Sequence, residues 1–235
     1  MPHDLLDSPA RPRVGLLIPS SNTVMERDLR RDLHDVADVY SARMFLTEAT
    51  NAAESRMLDD HLPQAVADLA TLYPQMTVFG CTSAGALRGT DYDSALCARI
   101  SHITDCPTVS TIASVSLALR KATAERVAVL TPYIDEVNEK LEASLTSDGI
   151  PVAGIAGLGI SDNFLLAGPT PSIIAEHALR LITEAEADHL FISCTNFRAV
   201  EALDLIRRAT DVPVVTSNSA VAAAIRTRLA TTTAV

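Results

Sequence analysis

The chain has 235 residues, nearly half of them apolar, with no Trp and few aromatics, so its core is built from Val, Ile, Leu and Ala. That length covers one to two domains, and the composition suits parallel sheets overlaid by Ala-rich helices. A formal net charge of -10, from 19 basic and 29 acidic residues, argues against nucleic acid or an anionic membrane as partner. It leaves room for a small anionic substrate, because a closed site sets its own local field.

The elements follow in order. "VGLLIP" (14–19) is a short buried strand, then "SSNT" leads into a helix over 24–36 with Ser and Asn supplying N-cap chemistry. A strand over 39–46 precedes a helix over 51–72, interrupted near Pro63. A strand over 76–81, a helix over 92–104, a strand over 107–111 and a helix over 112–123 complete a first round. The second round has strands over 126–132, 152–160, 189–194 and 212–217, alternating with helices over 133–149, 170–185, 199–210 and 219–230. Strands alternating with helices imply parallel sheets covered on both faces. The opening "MPHDLLDSPARPR" lacks the apolar region of a signal peptide; it and the closing "ATTTAV" are expected to be frayed tails. No apolar run approaches the roughly 18 residues of a membrane span, and a cytoplasmic protein is expected.

Two strand ends look alike, "TVFGCTSAG" (77–85) and "LFISCTNFR" (190–198). Pro19 and Pro132 are 113 residues apart, as are Cys81 and Cys194. Further on, "TDCPTVSTIASV" resembles "TDVPVVTSNSAV", six or seven residues out of step. This pattern is an internal duplication: two α/β halves related by an approximate twofold axis. Ligands of parallel sheets sit off the carboxyl ends of strands, where both cysteines fall. Halves that face each other would bring two thiols to one substrate from opposite sides. A buried Cys often only fills space, and that reading holds for Cys97 and Cys106, which have no duplicate. No CxxC spacing, zinc-ligand spacing or G-x-S-x-G turn is present, and "GIAGLG" (154–159) is not a dinucleotide fingerprint.

With the duplication in place, "IPSSNTVMERDL", "VAVLTPYIDEVNEKL", "GISDN" and the two Cys-Thr turns resemble the maleate cis-trans isomerase and arylmalonate decarboxylase branch of the aspartate/glutamate racemase superfamily. The likeness runs from about Arg13 to Leu229. It implies two pseudo-symmetric domains with the site in the cleft between them, and no metal or organic cofactor. It also implies that the final strand and helix return to the first domain, so that residues 11–109 plus 215–235 form one domain and 110–214 the other. By the same resemblance Cys81 is the nucleophile or first acid/base thiol, and Cys194 its partner on the other face. Asn22, Tyr133 and Asn163 would bind substrate carboxylates. The decarboxylase branch lacks the first-half thiol and uses hydroxyls after that position to pocket a carboxylate. Here Cys81 is present, followed by Thr82 and Ser83, which disfavours decarboxylation.

The chemistry needs a thiolate, and a free thiol, with a pKa of about 8.5, is only slightly ionised at neutral pH. The N–H groups of a strand-to-helix turn are expected to favour it. In an isomerase, Cys81 adds to one alkene carbon of a cis-dicarboxylate, the bond rotates, and Cys194 supplies and removes a proton. In an amino-acid or hydantoin-type racemase, one thiolate takes the α-proton and the other thiol returns one. A non-catalytic carboxylate-binding protein is the third reading. Neutral donors, Asn22, Ser20, Ser21, Tyr133, Asn163, Thr82, Ser83 and Thr195, could hold the carboxylates; Asn22 could equally cap a helix. Arg88 and Arg198 fit ordinary solvated helix positions. The expected partner is a small carboxylate, and the expected assembly a homo-oligomer.

Overall fold

The computed structural model describes residues 11–232. The chain forms two four-stranded parallel sheets with the same strand order. In the first half β1 (Arg13–Pro19), α1 (Met25–Leu33), β2 (Asp38–Met44), α2 (Asn51–Arg56), α3 (Leu62–Ala70), β3 (Met76–Phe79), α4 (Thr82–Leu87), α5 (Thr90–Thr104) and β4 (Thr108–Ser110) give the order β2-β1-β3-β4. After α6 (Thr111–Lys121), the second half runs β5 (Val127–Thr131), α7 (Asp135–Ser147), β6 (Val152–Gly157), α8 (Pro171–Glu184), β7 (His189–Ile192), α9 (Ala199–Arg207), β8 (Val214–Thr216) and α10 (Ser217–Thr232), in the order β6-β5-β7-β8.

The duplication is exact in register over the sheet centres. Val14 pairs with Met76 and Val127 with His189, so one offset of 113 residues carries the β1–β3 pairing onto β5–β7. The outer pairing is seven residues shorter in the second half: Thr77 pairs with Thr108, but Leu190 with Val214. The first half spends the extra length on α4, a fully buried helix directly after Cys81 that the sequence reading lacked. Its small residues, Thr82, Ser83, Ala84, Gly85 and Ala86, let it wedge between α7, α2 and α6.

The inner strands of each sheet are buried on both faces, which accounts for their near-continuous apolar sequences. Val14, Leu16 and Ile18 of β1 meet Met25 and Leu29 of α1, while Leu17 on the other face meets Met57, Leu62 and Val66. The helix expected over 51–72 is continuous as far as Ala70. Met57–His61 widens to π geometry, and the N–H of Leu62 reaches back to the carbonyl of Met57. The wider turn precedes Pro63, which has no N–H to give the preceding turn.

The halves exchange helices. α6 follows the first sheet, yet its buried Ile112, Val115 and Leu119 belong to the core around β5. α10 follows the second sheet, yet Val221 and Ile225 complete the core around β1. Burying such aliphatic side chains is worth about 1.5–3 kcal/mol each, so every exchanged helix ties the halves together by several kcal/mol. The expected return of the last strand to the first domain does not occur: β8 hydrogen-bonds to β7 as β4 does to β3, the duplicated pairing, and only α10 crosses. The expected frayed end at 230–235 is also corrected, since Ala230–Thr232 continue α10; residues 1–10 and 233–235 lie outside the described residues. Among the described residues no helix is long and apolar enough to cross a membrane.

Candidate active site

Both thiols lie just past the carboxyl ends of matching strands, but their backbones differ. Cys81 is extended (φ -141°) at the N-cap position of α4. Cys194 has φ +91°, outside the usual left-handed basin and costly for a residue with a Cβ, the kind of local strain that concentrates at functional sites. The pseudo-symmetry of the fold is therefore broken at the thiols.

The two cysteines are free, each 4% exposed, beside Tyr133 and Glu54, each 1% exposed. The Asn196 N–H donates to the Cys194 sulfur at 3.2 Å, and the Tyr133 hydroxyl acts on the same thiol, favouring its ionised form. The Ala84 N–H likewise favours the ionised form of Cys81, whose sulfur lies 3.8 Å from Ser83 Oγ. Ser83 Oγ in turn donates to Glu54 Oε1. Cys81 and Cys194 act electrostatically on each other and on Tyr133, so the halves meet in one site.

The turn N–H groups do favour thiolate at both cysteines, as expected, but burial outweighs them. Desolvation pushes the Cys194 thiol up to about 12 and Cys81 higher still, with the charge of Glu54 adding to the rise at each. Burial likewise holds the Tyr133 hydroxyl well above its ordinary value. Burial thus favours the neutral form of both thiols. Glu54 is raised to about 7 by desolvation, opposed by the Ser83 hydrogen bond and assisted by the nearby charge of Glu136.

The neutral donors expected from the sequence are brought together, though several are occupied. Asn22 is buried; its Oδ1 accepts from the N–H groups of Val24 and Met25, both at 3.0 Å, and its Nδ2 donates to Thr195 Oγ1 at 3.0 Å. It therefore caps α1 while reaching across the cleft. Thr195 Oγ1 donates to the Gly80 carbonyl at 3.1 Å, and Thr82 Oγ1 donates to Ser217 at 2.9 Å. These hydroxyl protons join the halves. Asn163 Nδ2 donates to Ser21 Oγ at 2.7 Å, and Asn196 Nδ2 donates to the Asn163 carbonyl at 2.6 Å. Ser20 and Ser21 both hydrogen-bond the Leu46 carbonyl. The loops after β2 and β6 are stitched by the Ala49 N–H to Ser161 and the Asn163 N–H to Thr47, at 2.6 and 2.8 Å. Arg88 pairs with Asp59 and Arg198 with Glu201, so both guanidinium groups have surface partners. Among the described residues no three His, Cys, Asp or Glu side chains are grouped to hold a metal ion.

Sequence reasoning missed Glu54 and Asn196. Glu54 had a signal: it stands three and four residues before the buried Met57 and Leu58, on the apolar stripe of its helix. Asn196 had none, since its side chain bonds residues distant in sequence, accepting from the Thr23 N–H and donating to the Asn163 carbonyl.

The arrangement resembles known proteins along nearly its whole length. An arylmalonate decarboxylase from Bordetella bronchiseptica is 26% identical over 213 residues, covering 89% of this chain and 87% of that protein. The crystal structure of a maleate isomerase from Pseudomonas putida S16 superposes with a TM-score of 0.87 at 24% identity, covering 93% of this chain and 92% of that one. A Nocardia farcinica maleate cis-trans isomerase, solved with a covalently bound succinylcysteine intermediate, gives a TM-score of 0.82 at 23% identity over 92% and 91% of the two chains. The family model described as arylmalonate decarboxylase matches residues 14–234, and the chain belongs to that family.

Proposed function

We propose that this chain is a cofactor-independent cis-trans isomerase of a small dicarboxylate, of the maleate-to-fumarate type. The observation that carries the reading is the pair of buried thiols, Cys81 and Cys194, at duplicated strand ends within one site. A decarboxylase of this family has no use for the first of them. Cys81 adds to one alkene carbon, which turns the double bond into a rotatable single bond. Cys194 protonates the neighbouring carbon, Tyr133 and the Asn196 N–H stabilising the thiolate left behind. Rotation, proton removal by Cys194 and departure of Cys81 release the trans alkene. The succinylcysteine of the Nocardia farcinica relative is the adduct such a path forms.

Asn22, Tyr133 and Asn163 hold the substrate carboxylates from the two halves, and Thr82, Ser83 and Thr195 complete the pocket. The hydroxyls of Thr82 and Thr195 are engaged inside the protein, so these residues contribute through backbone N–H groups, which the start of a helix or turn leaves without local partners. Four free cysteines fit a reducing, cytoplasmic setting. The test is NMR in deuterated water with maleate, with single enantiomers of aspartate, glutamate and a hydantoin, and with an arylmalonate. Fumarate formation supports the proposal. Exchange of an α-proton or loss of carbon dioxide, without action on maleate, replaces it with racemisation or decarboxylation.

A further inference from the structure

Glu54 is a carboxyl buried beside two thiols and unused by the path above. Its Oε1 accepts from Ser83 Oγ, whereas Oε2 is buried without a hydrogen-bond partner. A buried polar atom left unsatisfied is costly, and a glutamine would remove the charge at the same size. The groups acting on Glu54 or acted on by it are Cys81, reached through α4, Cys194 after β7, Tyr133 after β5, and Glu136 of α7. None of these is a cation. Arg56, two residues further along α2, is exposed.

The hydrogen-bond directions follow from the chemistry. An ionised carboxylate only accepts, so Ser83 must donate to Glu54. The Ser83 hydroxyl has one proton, so in the 3.8 Å contact the Cys81 S–H is the donor and Ser83 Oγ the acceptor. Cys81, Ser83 and Glu54 thus form a directed chain that starts at the thiol and ends at a carboxylate.

We propose that Glu54 is the proton acceptor for Cys81, acting through the Ser83 hydroxyl. The proposal rests on the thiol-addition reading of the site. As Cys81 Sγ bonds to the alkene carbon, its S–H bond breaks and the proton passes to Ser83 Oγ. The Ser83 hydroxyl proton passes to Glu54 Oε1. The alkene electron pair moves to the adjacent carbon and takes the Cys194 proton. The negative charge that began on Glu54 ends on Cys194, with no change in total charge, and reversal of the steps restores every group. This arrangement resolves an evident difficulty: burial disfavours the ionised form of both thiols, and among the described residues no cation acts on either to offset it. A base titrating near 7 is well matched to proton transfer at neutral pH.

The experiment is alkylation of the intact protein by iodoacetamide, read by mass spectrometry as the ratio of Cys81 to Cys194 labelling, so that site opening cancels. It needs no substrate, so its result stands apart from whether maleate is the substrate. In the wild type the ratio should rise through about pH 7, as Glu54 ionises, and then level off. In Glu54→Gln and in Ser83→Ala that inflection should vanish, with the ratio at pH 8 lowered on the order of 10-fold or more. With maleate, kcat should fall on the order of 100-fold in Glu54→Gln while KM holds. A merely electrostatic role has the opposite sign, because removing a negative charge beside Cys81 eases thiolate formation. A ratio at or above the wild-type value in Glu54→Gln overturns the proposal. Should that variant not fold, an unchanged profile in Ser83→Ala overturns it equally.

Discussion

Replacing Glu54 by Gln should stabilise the protein, and by an amount that depends on pH. Burial raises the Glu54 carboxyl from 4.5 to about 7. The folded protein therefore holds that proton between pH 4.5 and 7 while the unfolded chain has lost it, so stability falls as pH rises through this window. A shift of this size, at about 1.4 kcal/mol per pKa unit, costs roughly 3 kcal/mol by pH 8 and only about 1 kcal/mol at pH 5. The stability of Glu54→Gln relative to wild type should thus rise by about 2 kcal/mol between the two pH values, a large fraction of a typical 5–15 kcal/mol total. Asp93 is raised to about 6, chiefly by burial, and has the same sign; it is present in both proteins and cancels. Urea melts of both proteins at pH 5 and pH 8 give the four free energies. A difference that stays within about 0.5 kcal/mol across the two pH values would refute the claim that a charge is buried here at neutral pH.

Cys81→Ser and Cys194→Ser should each abolish turnover while circular dichroism and melting temperature stay near wild type, since Ser nearly matches Cys in shape; the double variant should be hardly worse than either, because coupled groups do not add. Retained turnover in either single variant would make the duplicated thiols structural. Tyr133→Phe removes the hydroxyl that favours thiolate at Cys194, and a hydrogen bond to such a charged partner is worth about 1.5–3 kcal/mol; kcat should drop roughly 10- to 100-fold and Cys194 should alkylate more slowly. Asn22→Ala loses the α1 cap and the link to Thr195, which should lower unfolding free energy by about 2 kcal/mol in urea. Arg88→Ala, a surface residue paired with Asp59, should leave kcat within a factor of two.

The amino-acid sequence by itself determined the alternation of strands and helices, the duplication and the two thiols, because these depend on local periodicity and on a repeat offset that folding does not alter. The offset of 113 residues between Cys81 and Cys194 became, without adjustment, the register of β1–β3 and β5–β7. Tertiary structure decided what depends on residues far apart in the chain. The buried α4 was hidden in "TSAGAL", a run of small residues whose helix is held by packing against α7, α2 and α6 rather than by propensity. The last strand stayed in the second sheet because backbone hydrogen bonds hold it to β7, while α10 crossed to fill an apolar face of β1. The hydroxyls of Thr82 and Thr195 found partners across the cleft, 135 residues away in one case and 115 in the other. Burial decided the charge states: turn N–H groups near both thiols were legible in the sequence, but desolvation, which only the packed protein creates, outweighed them and set Glu54 beside Cys81 at a pKa of about 7.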